Sequence, residues 1–125
     1  MKRIVLIEPN SVLAKLYRQM LQKNGYDVVH VTTAQAGIDA VDAAKPHAVV
    51  LELQIPTHNG IEFLHEFRSY PEWNDIPVIV NTVITPERLQ GLEESFTQDL
   101  AVGAILYKPK TSLDQLLLAL KEQLP

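Results

Sequence analysis

An α/β fold with a parallel sheet covered on both faces is what this sequence predicts, and two observations carry the prediction. Short, mostly continuous runs rich in Val, Ile and Leu recur along the chain, and the segments between them carry apolar residues at helical spacing. Runs of the first kind suit strands buried on both faces of a sheet. Strand and helix alternate five times over the 125 residues, and right-handed crossovers then build one parallel sheet with helices on either side. No repeat, low-complexity stretch or linker interrupts the pattern, so residues 1–125 are read as one domain.

The predicted strands are Arg3–Glu8, Asp27–Val31, Ala48–Leu53, Val78–Thr82 and Ala104–Tyr107. In the first helical segment Val12, Leu16 and Met20 form one stripe, with Leu13, Tyr17 and Leu21 beside it, and Asn24-Gly25 supplies the stop. Thr33 caps a second helix carrying Ala34, Ile38 and Val41, which ends before Pro46 because proline disfavours helix at the preceding residue. A third runs from about Asn59 to Arg68 with Ile61, Phe63, Leu64 and Phe67, and Pro71–Asp75 reads as a loop that Trp73 anchors. Pro86 stands in the first turn of a fourth helix. Ser112 caps a fifth, with Leu113, Leu116, Leu117, Leu120 and Leu124 inward and Leu118 off the stripe.

Composition removes several function classes. The net charge is −4 and the 11 Lys and Arg residues are scattered, whereas phosphate-backbone binding needs them concentrated, so no nucleic-acid partner is expected for this domain. The absence of cysteine excludes disulfides and thiolate metal sites. No apolar run is long enough to cross a bilayer, and Met1-Lys2-Arg3 leads into a strand rather than a leader, so a cytoplasmic protein is expected.

In an open parallel sheet the functional crevice lies beyond the carboxyl ends of the strands. The residues there are Glu8-Pro9-Asn10, Glu52, Thr82 and Lys108-Pro109. Two carboxylates, a hydroxyl and an ammonium therefore converge, which suits an anion or a cation. No Gly-rich phosphate loop follows the first strand.

These landmarks resemble the receiver domain of two-component response regulators along the whole chain. The resemblance rests on Ile4–Glu8 with its short turn, on Ala48–Leu53 followed by Ile55–Gly60, on Ile76–Val80 leading to Thr82, and on Leu106-Tyr107 leading to Lys108-Pro109. It implies a flavodoxin-like (βα)5 fold with strand order 2-1-3-4-5. It also implies a site in which an aspartate ending the third strand accepts a phosphoryl group. An acidic pair after the first strand then helps hold Mg²⁺, and a Thr or Ser and a Lys bind the phosphoryl oxygens. Cations and donors are needed because an anionic nucleophile meets an anionic donor. Thr82 and Lys108 match two of these roles.

The other positions depart from that pattern. Glu52 stands at the acceptor position, and its extra methylene pushes the carboxylate toward the space of the phosphoryl group. Pro9 replaces the second acid, leaving Glu8 alone, and Mg²⁺ tolerates the loss of a carboxylate poorly. Asn10 offers only an amide oxygen in compensation. Val83 follows the hydroxyl where the family usually has a small residue, and Ile105 stands where it usually has an aromatic switch. Tyr107 is read as facing elsewhere. The stretch from Thr82 to Lys108 is about one helical turn longer than the family's usual spacing, which places the remodelling at the face receivers commonly signal with. Together these departures predict a dead acceptor, with no metal and no cofactor.

Two readings of Glu52 follow. It either pairs with Lys108 and Thr82 in imitation of the phosphorylated state, or joins Glu8 and Lys108 in a structural ion cluster. Two carboxylates on one ammonium predict a raised pKa for one of them. His58, Glu62, His65 and Glu66 fall at helical spacing, but loop context and common Glu-rich helix surfaces argue against a metal face. Asn81 is read as satisfying a loop backbone.

The leading function is a degenerate receiver that acts as a phosphorylation-independent interaction module, not an enzyme. It would bind a protein partner or a second copy through its fourth helix, fifth strand and fifth helix. The alternatives are a receiver that accepts phosphoryl on Glu52 with a weakened Mg²⁺ site, and a flavodoxin-like binder of a small ligand.

Overall fold

A computed structural model describes residues 1–56 and 59–124. The strands are β1 (Lys2–Ile7), β2 (Tyr26–Val31), β3 (Ala48–Leu51), β4 (Val78–Thr82) and β5 (Val102–Tyr107). All pair in parallel, in the order β2-β1-β3-β4-β5 that the resemblance implies. The helices are α1 (Ser11–Lys23), α2 (Ala34–Ala44), α3 (Gly60–Arg68), α4 (Pro86–Leu89) and α5 (Leu113–Gln123).

Alternation along each strand divides the core in two. Val5, Ile7, Val49, Leu51, Val78 and Val80 face α2, α3 and α4, together with Phe63, Phe67 and Phe96. Ile4, Leu6, Val50 and Ile79 face α1 and α5, together with Tyr17, Leu21, Leu116 and Leu120. The helix starts follow side-chain capping. Asn10, Thr33, Asn59, Thr85 and Ser112 each accept a backbone N–H from the first turn of their helix.

Two elements, α1 and α5, differ from the sequence reading, which left the length of the fourth helix open. On α1 the inward stripe is Ala14, Tyr17 and Leu21, which leaves Val12 and Leu16 70% and 45% exposed. On α5 Leu113 is exposed, because it opens the helix beside Leu16 and Met20 at the rim of a groove rather than over the sheet. The fourth helix is a single turn, since Gln90 turns extended and Gly91 takes a φ of +90°. The chain then closes a wide turn at Ser95–Asp99 that buries Phe96. Arg68 ties that segment down: its guanidinium donates to the carbonyls of Leu100, Ala101, Trp73 and Asn74. Trp73 sits in a short turn, Pro71–Trp73, and stacks on Phe67 at 5.5 Å, as expected of a loop anchor.

Gly60 fixes the loop after β3. Its N–H donates to the carbonyl of Leu53 at 2.7 Å, and a Cβ there would come within 2.7 Å of the Leu53 Cα. Only glycine lets α3 start this close to the backbone that follows Glu52.

Candidate functional site: a carboxylate seated in its own cradle

Strand pairing aligns the site before any side chain is considered. Ile7 pairs with Leu51 and Leu51 with Val80, so one residue further on Glu8, Glu52 and Asn81 form a row at the carboxyl edge of the sheet. Their parity matches Leu6, Val50 and Ile79, which sets them on the α1 and α5 side. Lys108 follows the end of β5 and reaches across to them.

The four side chains singled out from the sequence meet there, and all are buried. Lys108 Nζ donates to Glu8 Oε1 at 2.5 Å and to Glu52 Oε1 at 2.7 Å. Glu52 Oε1 also accepts the Val83 N–H at 3.0 Å. Its Oε2 accepts the Gln54 N–H at 3.0 Å and the Thr82 hydroxyl in a short bond. An ionised carboxylate offers about four lone-pair sites, and each on Glu52 has a donor. Glu8 Oε2 accepts the Asn10 N–H at 3.0 Å, and the His30 ring donates to the Glu8 carbonyl at 2.7 Å.

The electrostatics follow from this donor set. Burial pushes the Glu52 carboxyl up, but hydrogen bonds from Lys108, Thr82 and the Gln54 N–H outweigh it, and the pKa ends below its ordinary value. The raised carboxylate expected from two acids on one ammonium is therefore not found at Glu52. Burial pushes the Lys108 ammonium down, and the bonds to Glu52 and Glu8 reverse that, leaving its pKa raised. Ion pair and backbone donors hold Glu52 and Lys108 charged.

These residues do not fit Mg²⁺. Pro9 brings no ligand, and the Asn10 oxygen caps α1 by accepting the Leu13 N–H. Both Glu8 oxygens and both Glu52 oxygens already face donors, while the octahedral ion needs oxygens free to turn toward it.

The remaining positions are placed as follows. Val83 is 41% exposed and Glu52 buried, so Glu52 itself, not Val83, fills the crevice. Ile105 and Tyr107 lie two apart on β5 and share a face, which corrects the reading of Tyr107. Both line a cavity of about 230 Å³ with Ile84, Pro86 and Leu89. Asn81 does not serve a loop backbone: it lies buried one residue before the end of β4, with its Oδ1 unpartnered among the described residues. His58 lies outside the described residues. The sequence reading missed the backbone donors of Gln54 and Val83, which any residue could supply, and the buried amide of Asn81. Parity with Ile79 on β4 was the one signal available for Asn81.

Residues 4–120 match the family model described as the response regulator receiver domain. The chain belongs to that family. Among receivers, the polar-differentiation response regulator DivK of Brucella ovis is 27% identical over 100 residues, covering 78% of this chain and 76% of its own. A sensor protein from Polaromonas sp. JS666 superposes with a TM-score of 0.85 at 27% identity, over 98% of this chain and 94% of that one. The chemotaxis response regulator CheY4 of Vibrio cholerae shares the fold at 18% identity, with a TM-score of 0.85 and 99% of both chains covered.

Proposed function

We propose that this receiver works in signal transduction without phosphorylation, as a protein–protein interaction module whose crevice is permanently occupied by Glu52. The observation that carries the reading is the saturated Glu52 carboxylate, with two donors on each oxygen. A nucleophile needs a free lone pair directed at the incoming phosphorus, and the donors that would stabilise the transferred oxygens are already engaged. The reading assigns no enzymatic activity and treats the protein as cytoplasmic.

The same geometry favours imitation of the phosphorylated state over a plain ion cluster. A plain cluster needs only Lys108, whereas Glu52 also recruits Thr82 and the Val83 N–H, which opens the segment leading to α4. The partner-binding face is assigned to α4, β5 and α5. Support comes from the one-turn α4, the cavity beside Ile105, and Leu118, which stands 58% exposed on α5. A second copy of the chain is one candidate for the partner.

Two experiments test this. Intact-mass measurement after treatment with acetyl phosphate and Mg²⁺ should show no phosphoryl adduct; an adduct on Glu52 would establish the competing phosphotransfer reading. Glu52→Gln should weaken capture of the physiological partner about tenfold, the weight of a charge-assisted hydrogen-bond set. Unchanged capture would leave Glu52 as structure alone.

A further inference from the structure

The cavity of about 230 Å³ between β5 and the segment after β4 has apolar walls, to which Ile84, Leu89 and Ile105 contribute. Buried Thr82 also lines it. That wall is pinned by the occupant of the crevice: the Thr82 hydroxyl donates to Glu52 and accepts the Ile84 N–H at 3.1 Å. The cavity is therefore formed wherever Glu52 is seated.

One charge faces this space. Glu93 is the sole ionic group among the described residues that line it. Gly91 brings it there. At a φ of +90°, a backbone conformation that favours glycine, the chain turns back, and the Gly91 N–H donates to Glu93 Oε2 at 2.9 Å. The other oxygen, Oε1, accepts no hydrogen bond among the described residues. Arg88, the basic residue of the same stretch, lines a separate groove with Leu53, Gln54 and Ile55. Glu87 and Glu94, both exposed, add negative charge to the stretch.

The volume lies below the range of small-molecule pockets, about 300–1,000 Å³, and suits a single side chain. Apolar walls with one carboxylate call for an apolar stem that ends in a cation, which only lysine and arginine provide. Tyr107, also in the lining, decides between them. A planar guanidinium stacks on an aromatic ring and is weakly hydrated, whereas an ammonium is a compact, strongly hydrated charge. An exposed ion pair alone contributes little, so burial of the stem beside it is what makes an arginine bind here.

We propose that this cavity receives an arginine side chain from a basic segment of a protein partner. The stem lies along Ile84, Leu89 and Ile105, and the guanidinium donates to Glu93 with one face on Tyr107. The inference rests on the reading of α4, β5 and α5 as the partner-binding face, and it names what that face recognises. The net charge of −4 steers a basic segment toward the chain.

The probe is the tripeptide N-acetyl-Ala-Arg-Ala-amide, titrated into the labelled full chain and followed by amide NMR. Saturable shifts are expected at Ile84, Leu89, Glu93, Ile105 and Tyr107, with millimolar affinity. Citrulline in place of arginine keeps the shape and removes the charge, and should bind about fivefold more weakly, the upper weight of an exposed ion pair. Glu93→Gln should weaken the arginine peptide by the same factor and leave the citrulline peptide unchanged. Ile105→Phe, which fills the space, should abolish binding of both; should it fail to fold, Glu93→Gln, a change at an exposed residue, carries the test. Equal affinity of the two peptides, or no saturable shift at the cavity, overturns the inference. Partner capture separates it from the reading beneath it. Capture lost with Leu118→Glu but not with Glu93→Gln overturns the cavity and leaves the face in place, and capture unchanged by either overturns both.

Discussion

Protonating Glu52 removes the charge that its four donors are arranged to hold. Its folded pKa lies below the ordinary 4.5, so its contribution to stability is present above that value and is lost as pH falls through the folded pKa. Lys108 behaves in the opposite sense: its pKa is raised above 10.5, so its contribution is present below that value and is lost as pH rises through the folded pKa. Urea midpoints measured against pH should therefore stay level between these limits and fall on both sides. Glu52→Gln should flatten the acid limb and, because it breaks a buried ion pair, cost about 3 kcal/mol near neutrality. An acid limb that survives the substitution would place the titration elsewhere. Glu8, Glu52, Thr82 and Lys108 were legible in the sequence because the carboxyl ends of parallel strands converge. The closure itself was not, since half of the Glu52 donors are backbone N–H groups.

At the scale of elements, periodicity identified the strands and long helices, while exposure depended on which of two adjacent stripes met the sheet. Val12 and Leu16 on α1 have the spacing of core residues but lie outside, because Ala14 permits a closer approach of the face with Tyr17 and Leu21. The region from Val83 to Ala101 was the least legible, because its shape depends on a tertiary clamp. Arg68 bonds four carbonyls from two separate segments. Arg68→Ala should lower unfolding free energy by about 2 kcal/mol, and Arg68→Lys should recover little, since a point ammonium cannot span that fork. Full recovery by lysine would reduce the clamp to simple charge. Lys45, which ends α2 at a φ of +49°, gives a prediction of opposite sign. Lys45→Gly should raise stability by about 0.5–1 kcal/mol in denaturant titration, and a loss would show that the lysine side chain contributes more than its backbone strain costs.

For the molecule as a whole, the parallel sheet with its switch point between β1 and β3 delivers the same crevice that receivers use for phosphoryl transfer. What distinguishes this member is the carboxylate already inside it. The most direct measurement of that claim is an amide NMR titration of the labelled protein with Mg²⁺ and beryllofluoride, an imitation of the phosphoryl group. The account predicts no saturable shifts at Glu8, Glu52, Thr82, Val83 or Lys108. Saturable shifts that spread from Glu52 along β5 to Ile105 would show an open and switchable crevice, and would contradict it.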